Sequence, residues 1–154
     1  MPTLEWLGKE RIVAHHLKVP YHVLKHQYGF DSEGRTESAT ASDKRDGNKI
    51  IHGDNLIVLK SLLPQYEGRV DCIYIDPPYN TGNEGWVYND NVKDPRILRW
   101  IGDAVGKEGE DFSRHDKWLC MMYPRLVLLE KLLSPDGAIF ISIDRNEFAS
   151  LKAI

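Results

Sequence analysis

VDCIYI at residues 70–75 runs straight into DPPYNTG at residues 76–82. The first stretch is apolar and rich in β-branched and aromatic residues, the composition of a strand covered on both faces. The two prolines of the second fix two φ angles and remove two backbone donors, so at Pro77 and Pro78 the chain neither extends a sheet ladder nor enters a helix interior. The stretch therefore predicts a buried strand over 70–75 that stops at Asp76 in a turn of defined shape.

On the amino-terminal side, Ile50 and Ile51 form a short strand-like run before His52, Gly53 and Asp54. Asp54 is placed to cap the helix DNLIVLKSLL, in which Leu56, Leu59 and Leu63 recur at helical spacing and which Pro64 is expected to end. On the carboxyl-terminal side, KWLCMMYPRLVLLEKLL (117–133) reads as a buried helix kinked or split by Pro124. SPDG then makes a turn, AIFISI (138–143) reads as a second buried strand ended by Asp144, and RNEFASLKAI (145–154) starts a helix. Strand, helix, strand, helix, strand implies an α/β fold with right-handed crossovers and a parallel sheet flanked by helices. Such sheets take their ligands beyond the carboxyl ends of the strands, where Asp54, Asp76 and Asp144 all fall. An aspartate there is by default a helix cap or turn residue, and for Asp54 and Asp144 that reading stands.

The remaining composition sets bounds. The chain has 154 residues, 42% apolar and 28% charged, which suits one globular domain with a real core. A net charge of −3 gives no global basic field, so nothing advertises a polyanionic partner. Two cysteines far apart, Cys72 and Cys120, suit a reducing compartment and argue against a thiolate metal site. His22 and His26 stand four residues apart without a third ligand nearby, so no metal is expected. The amino terminus lacks the apolar core of a signal peptide and no apolar run is long enough to span a bilayer, which predicts a soluble cytoplasmic protein with no membrane contact. Residues 31–48 are rich in Gly, Ser, Thr and charge and read as a flexible linker. They separate a helical arm at 1–30 from the main domain at 49–154. In the long segment between Asn80 and His115, Trp86, Tyr88 and Trp100 suit either the lining of a DNA channel or a disordered loop, and 92–117 mixes charges as a solvated surface does.

Asp76 differs from the other two aspartates in its neighbours. A carboxylate, a proline carbonyl of fixed direction and an aromatic ring at one strand end make a rigid acceptor site beside a stacking surface, which suits a planar group bearing an NH2. The exocyclic amine of a nucleobase is a poor nucleophile because its lone pair is delocalised into the ring. Two acceptors on its hydrogens draw the nitrogen toward tetrahedral geometry and raise its lone-pair density. Tyr79 is then placed to stack on the base, as enzymes that work on a base first take it out of the duplex.

These residues carry a resemblance. DPPY resembles the catalytic motif of the amino-group DNA methyltransferases, and CIYIDPPYNTGNEGWVYNDN resembles the modification subunits of type III restriction systems. TLEWLGKE, HHLKVPYHVLKH, GDNL, WLCMMYPRL and GAIFISIDRNE extend the likeness over most of the chain. The resemblance implies a Rossmann-like S-adenosylmethionine-dependent methyltransferase fold, present in part. It also implies site-specific transfer of methyl from S-adenosylmethionine to the N6 of a flipped adenine in double-stranded DNA. Cytosine-N4 methylation, by the same chemistry, and a non-catalytic remnant are the alternatives. Carried over, Asp76 and the Pro77 carbonyl hold the amino hydrogens, Pro78 shapes the turn, and Tyr79 stacks on the base, with Asn80 and Trp86 as neighbouring substrate contacts. Asp54 and Asp76 are the candidate cofactor contacts, and a homodimer and a restriction subunit the implied partners.

The departure is as specific. In families of this motif order the DPPY half precedes a recognition region and then a strand ending in FxGxG, whose glycines admit the cofactor to the backbone. This chain has no FxGxG and no GxG; GNEG at 82–85 and GKEG at 106–109 have other spacings. It therefore reads as a catalytic half without the cofactor loop, with open strand edges that favour association. The chain by itself is expected to bind S-adenosylmethionine more weakly than about 1 mM; titration calorimetry checks this, and micromolar binding would reveal a cofactor site of another kind.

Overall fold

The computed structural model describes residues 3–31, 34–36, 48–80, 99, 103 and 114–154. Its centre is a parallel pair of strands, β3 (Val70–Ile75) and β4 (Leu133–Ile141), joined by a long crossing helix, α4 (Arg114–Leu132). A second helix, α3 (Asn55–Tyr66), precedes β3 and packs on α4. Two one-turn helices, α1 (Lys9–Ile12) and α2 (His15–Lys18), lie before it, with an antiparallel hairpin of β1 (Gly29–Asp31) and β2 (Gly34–Thr36). α5 (Phe148–Ala153) comes after β4.

Local chemistry accounts for the element ends. Asp54 caps α3, its Oδ1 accepting from the backbone N–H of Leu56 (3.0 Å) and Ile57 (3.2 Å), as the sequence predicts. Pro64 does not end the helix: it sits inside α3, which continues to Tyr66 and stops where Gly68 turns with a φ of 68°. The turn after α3 donates from Gly68 N to Lys131 O (2.9 Å) and from Arg69 N to Leu132 O (3.1 Å), so the end of α3 satisfies carbonyls that the end of α4 leaves open. Pro124 likewise lies inside α4 without splitting it and is fully buried.

SPDG differs from a plain turn. The ladder already pairs Val70 with Leu133, then jumps to Cys72 opposite Ala138, so the intervening residues bulge out of register. Gly137 permits the bulge, because a Cβ there would lie 2.7 Å from the Val70 carbonyl oxygen and 3.1 Å from Ser134 N. From Ala138 onward the pairing is regular: Ile73 with Ile139, Tyr74 with Phe140, Ile75 with Ile141.

Two expectations about the sheet are corrected. Residues 50–52 form no strand and Ile50 is 100% exposed, because among the described residues no third strand lies beside this run to satisfy its backbone. Among the described residues the two strands are also not covered on both faces. Ile73 is buried and Ile75 and Ile139 pack partly against the apolar cluster, while Tyr74 (67% exposed) and Phe140 (58%) stand side by side on the other face. Period-two alternation is what a sheet covered on one face shows.

The core has two clusters. One joins Val19, Leu56, Leu63, Ile73, Leu128, Leu129 and Leu132 between α3, α4 and the sheet. The other joins Trp6 and Ile12 to Trp118, Leu119, Cys120, Met121 and Met122, so the amino-terminal segment is built into the core at the start of α4. Burial pushes the Cys120 thiol up to about 12. The apolar spacing of α3 misses one member of its buried face: Lys60 is 6% exposed, its Nζ donating to the His16 carbonyl (3.0 Å) and lying 4.9 Å from the centre of the Tyr21 ring. His22 and His26 lie outside any helix, and His22 N donates to Ser61 Oγ at 2.9 Å. β2 falls within the segment read as a linker, of which residues 37–47 lie outside the described residues. No helix among the described residues is long and apolar enough to cross a membrane.

Gly137→Ala forces the bulge and the start of β3 apart, since backbone rather than a flexible side chain meets the new methyl. A loss of about 1–3 kcal/mol is expected, read as a lowered thermal midpoint, against little change for alanine at exposed Asp136.

Candidate active site

Residues 76–80 leave the carboxyl end of β3 with no regular secondary structure, as two prolines require. Two side chains from later in the chain hold them. Trp118, 0% exposed on the first turns of α4, donates its indole N–H to the Pro78 carbonyl at 2.7 Å. Asn80 Nδ2 donates to Oε1 of Glu147, and both side chains are fully buried. The same Oε1 lies 2.8 Å from His115 Nδ1. Asn80 has a φ of 58°, the sole positive value outside glycine among the described residues. Asparagine enters this region more readily than most residues, yet the left-handed conformation costs on the order of 1 kcal/mol and persists where its surroundings hold it.

Beside these two anchor points the Asp76 and Tyr79 side chains reach solvent. Asp76 is exposed and Tyr79 half-buried. The Tyr79 hydroxyl donates to Asp76 Oδ1 at 2.8 Å. That bond, more than burial or the Asp76 charge, raises the hydroxyl above the ordinary phenol range. Beside it on the open sheet face the Tyr74 hydroxyl and Ser142 Oγ are 2.8 Å apart. The Pro78 carbonyl is occupied by Trp118.

The structure thus brings Asp76, Pro77, Pro78, Tyr79 and Asn80 into one pinned turn. The other two aspartates keep local duties: Asp54 in its cap, and Asp144 accepting from Asn146 N (2.8 Å) and Asn146 Nδ2 (2.6 Å). Asp54 stands at the far end of α3 from the short connection into β3, beside Arg125, whose Nε donates to Asn55 Oδ1 at 2.9 Å. Burial draws the Arg125 guanidinium below its usual range and the Asp54 carboxylate partly restores it. Trp86, Tyr88, Trp100 and both glycine pairs lie outside the described residues. Among the described residues no three His, Cys, Asp or Glu side chains gather as a metal site would need.

Sequence reasoning passed over Trp118, His115 and Glu147. Trp118 lies in a run read as buried helix and Glu147 in one read as a helix start, and their bonds to the turn span 40 and 67 residues. The one signal in the sequence was that a Trp and a buried Glu carry polar groups needing partners.

The parallel strand pair ends in an acidic, proline-stiffened turn. The chain belongs to the DNA methylase family of N6/N4 methyltransferases, whose model matches residues 70–154. It is similar to the Mod subunit of the type III restriction-modification enzyme EcoP15I of Escherichia coli, at 39% identity over 99% of this chain and 24% of the relative. It is also similar to the Mod subunit of the type III enzyme StyLTI of Salmonella typhimurium, at 46% identity over 73% of this chain and 18% of the relative. The type II methyltransferase M.KpnI of Klebsiella pneumoniae is 38% identical over 70% of this chain and 22% of the relative. The chain spans about a quarter or less of the length of these curated relatives.

Trp118→Phe keeps the ring in the core and removes the N–H that holds Pro78. A cost of about 1–3 kcal/mol is expected for the partner carbonyl left without its donor. Chemical denaturation measures it, and an unchanged midpoint would show that the bond does not hold the turn.

Proposed function

We propose that this chain carries the base-acceptor part of a site-specific DNA methyltransferase that moves a methyl group from S-adenosylmethionine to the N6 of an adenine flipped out of double-stranded DNA. The observation that carries the reading is the turn itself, with Pro78 and Asn80 anchored by buried side chains while Asp76 and Tyr79 face outward. Membership of the DNA methylase family and likeness to Mod subunits support it, and favour adenine over cytosine. The parallel pair with its crossing helix accords with a Rossmann-like methyltransferase fold. In this reading residues 49–154 form the catalytic part, residues 1–30 brace it, and residues 31–48 link the two. Double-stranded DNA is its substrate, and a second copy and a restriction subunit are its proposed partners.

In this mechanism the target base enters against the Tyr79 ring. As the ring turns to stack, its hydroxyl leaves Asp76 Oδ1, and the carboxylate takes a hydrogen of the target amine in exchange. One donor replaces another, so the carboxylate is not left bare. The Pro77 carbonyl would accept a hydrogen bond from the second hydrogen, and the two acceptors would localise the lone pair on the nitrogen. S-adenosylmethionine, when bound, supplies that methyl on a positively charged sulfur. Once methylated, the amine would give up a proton to the Asp76 carboxylate that holds it, and Asp76, being exposed, would pass it to water. The fit to the donor is partial. Asp54 would offer a carboxylate to a cationic ligand with one oxygen already engaged in its cap, Asp76 is committed to the target amine, and the chain contains no glycine-spaced backbone cradle.

The test is a chimera in which residues 1–154 replace the matching segment of the EcoP15I Mod subunit, assayed by mass spectrometry of nucleosides from methylated DNA. The expected product is N6-methyladenine; N4-methylcytosine would reassign the target and no methylation would overturn the reading. Asp76→Ala should lower turnover on the order of 100-fold or more while cofactor affinity stays near that of the parent chimera. Tyr79→Phe should keep most activity, because stacking needs the ring. Tyr79→Ala should lose about 1–3 kcal/mol of base stacking. Equal losses for the two Tyr79 variants would give the hydroxyl a chemical role and end the stacking account.

A further inference from the structure

Glu147 opens α5 but does not serve it, since its side chain makes no cap bond to that helix. Its carboxylate crosses instead to Asn80 and His115, 67 and 32 residues away in the chain. It is 0% exposed, and burial strips a carboxylate of hydration that only well-placed donors replace. The replacement is incomplete: Oε1 takes both partners, and Oε2 is buried with no hydrogen-bond partner among the described residues. Space-filling alone would be served better by an apolar side chain at this point of the fold. What Glu147 holds is the residue directly after Tyr79, in a backbone conformation that asparagine adopts at a cost. The three segments it joins are the exit of the DPPY turn, the start of α4 and the start of α5.

Resting on the methyl-transfer reading, we infer that Glu147 is a positioning residue of the site. By fixing the Asn80 amide it keeps Asn80 left-handed, and so sets the direction in which Tyr79 and Asp76 meet the target base, with His115 as its second partner. It touches neither base nor methyl donor and acts through Asn80. The consequence is kinetic: the turn still forms without it, held by Trp118 at Pro78, but its outward groups lose their shared orientation. Small errors of geometry at a reacting centre reduce turnover far more than they reduce binding.

The chimera with the EcoP15I Mod subunit tests this. Glu147→Ala should lower kcat about 30- to 100-fold, with the KM for DNA and the affinity for S-adenosylmethionine within about threefold of the parent chimera. Glu147→Gln keeps an oxygen in place for the Asn80 amide and should recover kcat to within about fivefold of the parent. Asn80→Ala should lower kcat to a similar extent as Glu147→Ala, and the double variant should lose clearly less than the two losses added together, because each removes the Asn80–Glu147 bond. Should Glu147→Ala not fold, Asn80→Ala carries the test by the same split between kcat and KM. Parent-like kcat for Glu147→Ala or Asn80→Ala overturns the inference, and so do additive losses or equal losses for Glu147→Ala and Glu147→Gln. An unsubstituted chimera that methylates while the variants match it refutes this inference alone; one that methylates no DNA refutes the functional reading beneath it.

Discussion

The hydrogen bond from the Trp118 indole to the Pro78 carbonyl is where core and site meet. The prolines leave residues 76–80 without ladder or helix bonds, so the turn takes its direction from whatever holds its carbonyls and side chains. Trp118 can hold Pro78 because its own ring is locked in the cluster with Trp6, Ile12 and the methionines of α4. A carbonyl bonded to a mobile side chain would wander with it. One bonded to a fully buried indole inherits the rigidity of a close-packed interior.

The same dependence explains why the amino-terminal segment matters to a site that it does not contain. Leu7 N donates to Asp116 Oδ1 at 3.1 Å, and Cys120 Sγ lies 3.5 Å from the Leu7 carbonyl, so this segment lies along the start of α4 beside Trp118. Lys60 reaches from α3 to the His16 carbonyl and ties α2 to the cluster between α3, α4 and the sheet. His15 and His16 are both drawn below the ordinary histidine range, chiefly by burial and then by neighbouring cations. Their protonation therefore opposes this packing: the contribution is full above the unfolded value of 6.5 and fades as pH falls below it. A bracing segment of this kind holds the start of α4 in place.

Much of the site was legible in the sequence because its logic is local. Asp54 as a cap, Asp144 as a turn residue and DPPY as a stiff turn at a strand end each derive from a few adjacent residues whose backbone demands are strong. The misreadings are local arguments overruled by packing. Pro64 and Pro124 remove one helical hydrogen bond each, a loss that burial of the surrounding apolar side chains outweighs. Ile50 and Ile51 have strand composition, but a strand exists only beside another, and none lies there among the described residues.

By itself the sequence determined the order of elements from α3 to β4, the place where β3 must stop, and the acidic and aromatic groups presented there, because periodicity, capping and proline stereochemistry act over a few residues. Tertiary structure alone decided which face of the sheet is covered, which carbonyl of the double proline is taken, and that Asn80 is held left-handed by a glutamate 67 residues away. Such contacts depend on how α4, α5 and the turn are brought together. No local pattern encodes that juxtaposition, because it arises when buried polar groups from distant segments must find one another in the absence of water.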